Sequence, residues 1–153
     1  MTDFNLETAI IKSITVRCNI EAAFRIWTEK VDLWWPKDHL MSGEPNTQIF
    51  MEGQVGGRFY ERTAEGTEYE WGQVTLWEPP YRLAYIWNRG SPVEQPTRIE
   101  VQFTVIAPDR TRVDVEHRGP EYVGELWYQT SPGYRAAWAE VLPAYVSACD
   151  KAI

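Results

Sequence analysis

The sequence predicts an α+β fold: a curved antiparallel sheet of about six or seven strands gripping a long C-terminal helix, with two short helices after the first strand. Three observations carry this. Residues 98–117 alternate apolar and polar side chains about a turn at Ala107-Pro108-Asp109-Arg110, as a hairpin with one dry and one wet face does. Ile20, Ala23, Phe24 and Trp27 recur at the spacing of a short amphipathic helix. Tyr134, Ala137, Trp138, Val141, Tyr145 and Ala148 form a longer helical stripe near the C-terminus.

In chain order, Thr8 to Val16 is rich in β-branched residues and puts Ile10, Ile14 and Val16 on one face, so it reads as a strand. Asn19 is a suitable N-cap for the helix that follows. Leu33-Trp34-Trp35-Pro36 allows one more turn before the proline stops it. Two Trp in one such turn are expected to divide their roles, one packing and one capping an opening. Strands are expected over Gly57 to Arg62, Glu68 to Trp77 (ended by Pro79-Pro80) and Leu83 to Trp87 (ended by Asn88-Arg89-Gly90-Ser91-Pro92). The hairpin then places Ile99, Val101, Phe103 and Val105 on the dry face, opposite Val113, Val115 and His117. Gly119 to Pro132 reads as a loop. The final helix is expected to start at Gly133, to run about 17 residues, and to kink at Pro143, which removes a backbone donor.

Bulk composition narrows the function classes. A chain of 153 residues without repeats or a long linker is expected to form one domain over 1–153. A net charge of −7 with scattered basic residues argues against a nucleic-acid partner. No stretch has the length of a membrane span, and the N-terminus lacks the order of a signal peptide, so a cytoplasmic location is expected. Cys18 and Cys149 belong to no metal-spaced cluster and read as two reduced, half-buried thiols. The eight Trp, eight Tyr and five Phe exceed what a minimal core needs. They either fill the core or line a cavity for an apolar ligand.

Some residues match a known family. Ala22-Ala23-Phe24-Arg25-Ile26-Trp27-Thr28 followed by Leu33-Trp34-Trp35-Pro36, Gly56-Gly57-Arg58-Phe59, Gly72-Gln73-Val74 before Glu78-Pro79-Pro80, and Arg82-Leu83 leading to Trp87 carry the match. Thr111 with the strand ending at His117, and the glycine-led last helix, complete it. In this order they resemble the START-like (SRPBCC, helix-grip) superfamily, in the branch named for the activator of heat-shock protein 90 ATPase, over residues 9–146. The resemblance implies the helix-grip fold and a cavity between sheet and helix. The chain departs from the branch where Tyr134 replaces the usual Trp after Gly133, where leucines are sparse and where Pro143 interrupts.

The ligand cavity is expected to be lined by Trp35, Phe59, Tyr85, Trp87, Phe103, Val115, His117, Trp138 and Leu142. His117 ends its strand on the inward face, where an imidazole serves as a ligand contact, as a general base, or simply as a core residue with satisfied nitrogens. His39 is expected to be solvated. Glu61 shares parity with Phe59, and burial there would raise its pKa. No nucleophile elbow, phosphate loop, dinucleotide motif or metal-spaced His/Asp/Glu set occurs, so neither a cofactor nor a metal is expected. The leading expectation is a module, monomeric or homodimeric, that binds a small apolar or aromatic molecule. The alternatives are a chaperone regulator, as the branch name suggests though without that activator's separate N-terminal region, and a cofactor-independent cyclase or hydrolase using His117 with Glu61, Tyr69 or Tyr85.

Overall fold

A computed structural model describes residues 9–88, 96–119 and 124–151; the side chains of 124–126 and 128–129 lie outside that description. Seven strands form one curled antiparallel sheet: β1 (Ala9–Val16), β2 (Gln48–Met51), β3 (Arg58–Arg62), β4 (Glu68–Glu78), β5 (Arg82–Trp87), β6 (Thr97–Ala107) and β7 (Arg110–Arg118). Their order is β1-β7-β6-β5-β4-β3-β2. Each strand from β3 onward is thus beside its predecessor in sequence, while β1 pairs with β7 and β2 forms the opposite edge. Helices α1 (Ile20–Trp27), α2 (Val31–Trp34) and α3 (Gly124–Lys151) cover the concave face, and a 3-10 turn, Lys37–His39, follows α2.

Local chemistry explains the boundaries. The Asn19 side chain accepts the Ala22 N–H at 2.8 Å and starts α1, whose buried residues are Ile20, Ala23, Phe24, Ile26 and Trp27. At its other end the Thr28 N–H and hydroxyl both donate to the Phe24 carbonyl. Pro36 holds Trp35 extended (φ −62°, ψ 127°), so the helical turn stops at Trp34. Gly72 is required by close approach: a Cβ there would collide with the Ile86 carbonyl oxygen across the sheet.

The structure corrects the sequence reading in four places. The four-residue strand β2 is additional. The register shifts near Val105, and the expected dry face ends at Phe103, leaving Val105 and Ile106 exposed. Trp34 and Trp35 are both buried, because the change from helical to extended backbone between them turns both rings inward. The Trp34 indole N–H donates to the Ile26 carbonyl at 2.7 Å and that of Trp35 to the His39 carbonyl at 3.1 Å. Finally, α3 begins at Gly124, within the expected loop, and runs 28 residues through Pro132 and Pro143. Both prolines face solvent. Packing on either side of Pro132 offsets its missing donor: Trp127 lies over Gly119 and against Tyr134, and both rings meet His117. The expected turn at 88–92 falls largely outside the described residues.

Beneath α1 and α2 the interior is a continuous aromatic stack. Trp27 meets Tyr145 at 4.9 Å and Trp34 at 5.4 Å, while Phe24 meets Phe103 at 5.3 Å. Phe59 meets Trp71 and Tyr85 at 5.1 and 5.3 Å. Edge-to-face and tilted contacts of this kind add to the stabilisation from burial.

Candidate functional site

Next to this stack, whose rings Trp27 and Phe59 reach Trp138 and Trp87, a cavity of about 350 Å³ opens between the sheet and α3. Its sheet wall is Trp87 on β5, Ile99 on β6 and His117 on β7. Thr130, Gly133, Tyr134, Ala137, Trp138 and Val141 supply the helix wall, with Trp35 and His39 at one side. The space exists because the helix wall carries the small residues Gly133 and Ala137 where longer side chains would fill it. The helix phase that buries Tyr134 and Trp138 brings these small residues along with them.

His117 is the polar centre of the wall, and its hydrogen bonds define its state. The Trp138 indole N–H, which can only donate, points at His117 Nδ1 from 3.0 Å. Nδ1 is therefore the acceptor and the proton of the neutral ring sits on Nε2. That Nε2–H donates to Thr97 Oγ1 at 2.8 Å, and the Thr97 hydroxyl continues to the Trp87 carbonyl at 3.3 Å. Burial favours the neutral ring further, pushing the pKa of His117 down to about 3. With both nitrogens engaged and protonation disfavoured, this imidazole is a fixed strut rather than a general base.

Glu61, the other candidate acid or base, also has a structural role. It is fully buried, and its carboxylate accepts the Met41 and Ser42 backbone N–H groups at 2.6 and 2.9 Å and the Trp71 indole at 2.7 Å. Burial alone would raise its pKa, but the donors from Ser42, Met41 and Trp71 outweigh it and the net shift is downward, opposite to the sequence expectation. Glu61 thus stays charged and pins the segment after His39 to β3.

A family model described as "Activator of Hsp90 ATPase homolog 1-like protein" matches residues 17–146. The chain belongs to this family. Several solved structures share its fold. An anthrahydroquino-γ-pyrone synthase, Txn09, is 26% identical with a TM-score of 0.61, covering 92% of this chain and 96% of that one. CalC from Micromonospora echinospora, a self-sacrificing resistance protein, is 24% identical with a TM-score of 0.72, covering 96% and 97%. An HSP90 activator from Plasmodium falciparum is 16% identical with a TM-score of 0.53, covering 74% of each chain. The last two likenesses show the fold alone. No curated protein matches the chain.

Of the nine residues expected around a cavity, the fold brings Trp35, Trp87, His117 and Trp138 to it. Phe59, Tyr85, Phe103 and Val115 are buried in the packed core instead. Tyr85 is fully enclosed, and burial raises its phenol pKa. Leu142 lies one helical position away, beside Pro143 and Val146 in a separate groove. His39, expected in solvent, lines the cavity and sits 3.3 Å from Glu140. Tyr134, Ala137 and Val141 were on the predicted stripe, so helical phase was the available signal for them. Thr130 and Gly133 fell in, or at the edge of, the stretch read as a loop.

The fold also gathers Asp38, His39 and Glu140, with a ligand atom of each within 4.8 Å of the others. Cys18 and Cys149 are free thiols as expected, yet both are buried, and they share a hydrogen bond at the foot of α3. No helix among the described residues is long and apolar enough to cross a membrane.

Proposed function

We propose that this protein binds a small, flat, largely apolar molecule in the cavity between the β5–β7 wall and α3. The observation that carries the reading is the cavity's make-up: aromatic side chains of Trp87, Tyr134 and Trp138, the small residues Gly133 and Ala137 on α3, and a central histidine whose nitrogens are engaged within the protein. Such a wall rewards ring stacking and burial. A volume of about 350 Å³ is at the low end of ligand sites, which suits a few fused rings better than a long-chain lipid. The 26% identity to a synthase whose name contains a fused-ring product is consistent with this ligand class. Catalysis is the weaker reading, because neither His117 nor Glu61 presents a free acid or base to the cavity. Contact with a chaperone ATPase, which the family description suggests, has no surface among the described residues that selects it.

Native mass spectrometry of protein purified from cells, followed by calorimetric titration with two- and three-ring aromatics, tests the proposal. One bound equivalent, lost in Ala137→Trp, is the expected result. If the folded wild-type protein carries nothing and takes up none of the panel, the reading fails.

A further inference from the structure

The rim of the cavity carries a second chemistry. Asp38 and His39 belong to the 3-10 turn after α2, whereas Glu140 lies midway along α3, 101 positions beyond His39. One ligand atom from each lies within 4.8 Å of the other two, and His39 Nε2 is 3.3 Å from Glu140 Oε2. We propose that these three side chains bind a divalent transition-metal ion, zinc fitting best, which ties the turn to α3 across the cavity mouth.

The donor set favours this ion class. One imidazole and two carboxylates suit zinc and its neighbours, while magnesium and calcium prefer more, and all-oxygen, ligands. Zinc bonds to such donors are about 2.0–2.2 Å long, which sets tetrahedral donors about 3.4 Å apart. The His39–Glu140 separation of 3.3 Å already matches this, and rotation of the exposed Asp38 and Glu140 side chains can adjust the rest. Asp38 has no hydrogen-bond or ion-pair partner among the described residues, and Lys37 beside it is held by Asp32 at 2.9 Å. Two carboxylates facing each other across a single imidazole leave negative charge that a dication neutralises. The turn is also held in place: the Trp35 indole fixes the His39 carbonyl, and Glu61 fixes the Met41 and Ser42 N–H groups. Three protein ligands leave a coordination position open toward the solvent or a cavity occupant. Because His39 also lines the cavity, an ion here would tie one of its wall residues to α3.

The binding of the ion does not depend on the cavity having a ligand, so its test uses zinc alone. Chelator-treated full-length protein is titrated with zinc chloride by calorimetry and, in parallel, with cobalt(II) by absorbance. The expected result is one equivalent with an affinity in the range of about 1–100 μM, weakened at least tenfold in His39→Ala and Glu140→Gln. Asp38→Asn, at an exposed position without a partner, should weaken binding while leaving the far-ultraviolet spectrum and metal-free Tm unchanged. The cobalt spectrum should lack a thiolate charge-transfer band, because Cys18 and Cys149 take no part. No saturable binding up to about 1 mM, wild-type affinity in all three variants, or a thiolate band would overturn the proposal.

Discussion

The two ends of the sheet–helix interface use the same residue types to opposite effect. Under α1 and α2, Trp27, Trp34 and Tyr145 meet ring against ring, as do Phe24 and Phe103. At the other end Trp87, Tyr134 and Trp138 face a cavity, because Gly133 and Ala137 withhold the side chains that would fill it. Aromatic content alone therefore does not distinguish a filled core from a cavity; the small residues among the rings do.

The largest effect that separates the two ends is expected from truncating a ring of the packed end. Trp27→Ala should lose about 3–5 kcal/mol of stability in urea unfolding, because the stack cannot collapse around the void. A loss as small as a surface substitution gives would mean that this end is not close-packed.

Glu61→Gln should cost about 1–3 kcal/mol, since three donors lose a charged acceptor. Glu61, whose pKa is lowered in the fold, contributes stability that is present above its ordinary value of 4.5 and lost as pH falls below it. In Glu61→Gln that part of the acid limb should flatten, and an unaltered limb would place the carboxylate's partners elsewhere.

His117 acts in a window that opens at higher pH. Its ordinary value is 6.5 and its folded value about 3, so between those limits the unfolded chain takes up a proton that the native ring refuses. Stability should decline as pH falls from 6.5, before the carboxylates act, and His117→Phe should remove this early decline. Trp138→Phe should cost about 1 kcal/mol or slightly more by leaving Nδ1 unpaired. A comparably small effect is expected from Ala137→Leu, which fills empty space: less than about 1.5 kcal/mol in either direction, with ligand uptake lost.

Much of the fold was legible in the sequence, because strand parity and helix period reflect which face is buried. Ile99 to Phe103, Val113 to His117 and the stripe from Tyr134 to Tyr145 all have the orientation the pattern implied. Strand β2 was not legible, since its four residues bury only Ile49 and Met51. The early turns of α3 were hidden because Pro132 and Gly133 signal a break that the packing of Trp127 against Gly119 and His117 overrides. The cavity was half legible: inward parity selects Trp87, His117 and Trp138 but equally selects Phe59, Tyr85 and Phe103, which the curl of the sheet assigns to the packed end. The meeting of His39 with Glu140 had no local signal, being a product of how α3 crosses the sheet.

The contrast between the two ends can be read directly from the indole N–H signals of the eight Trp residues. On titration with a fused-ring aromatic, two-dimensional NMR should move the signals of Trp87 and Trp138 and leave those of Trp27 and Trp34 in place. Shifts centred on Trp27 and Trp34, or no shifts at a concentration where binding is registered by calorimetry, would contradict the assignment of the cavity as the ligand site.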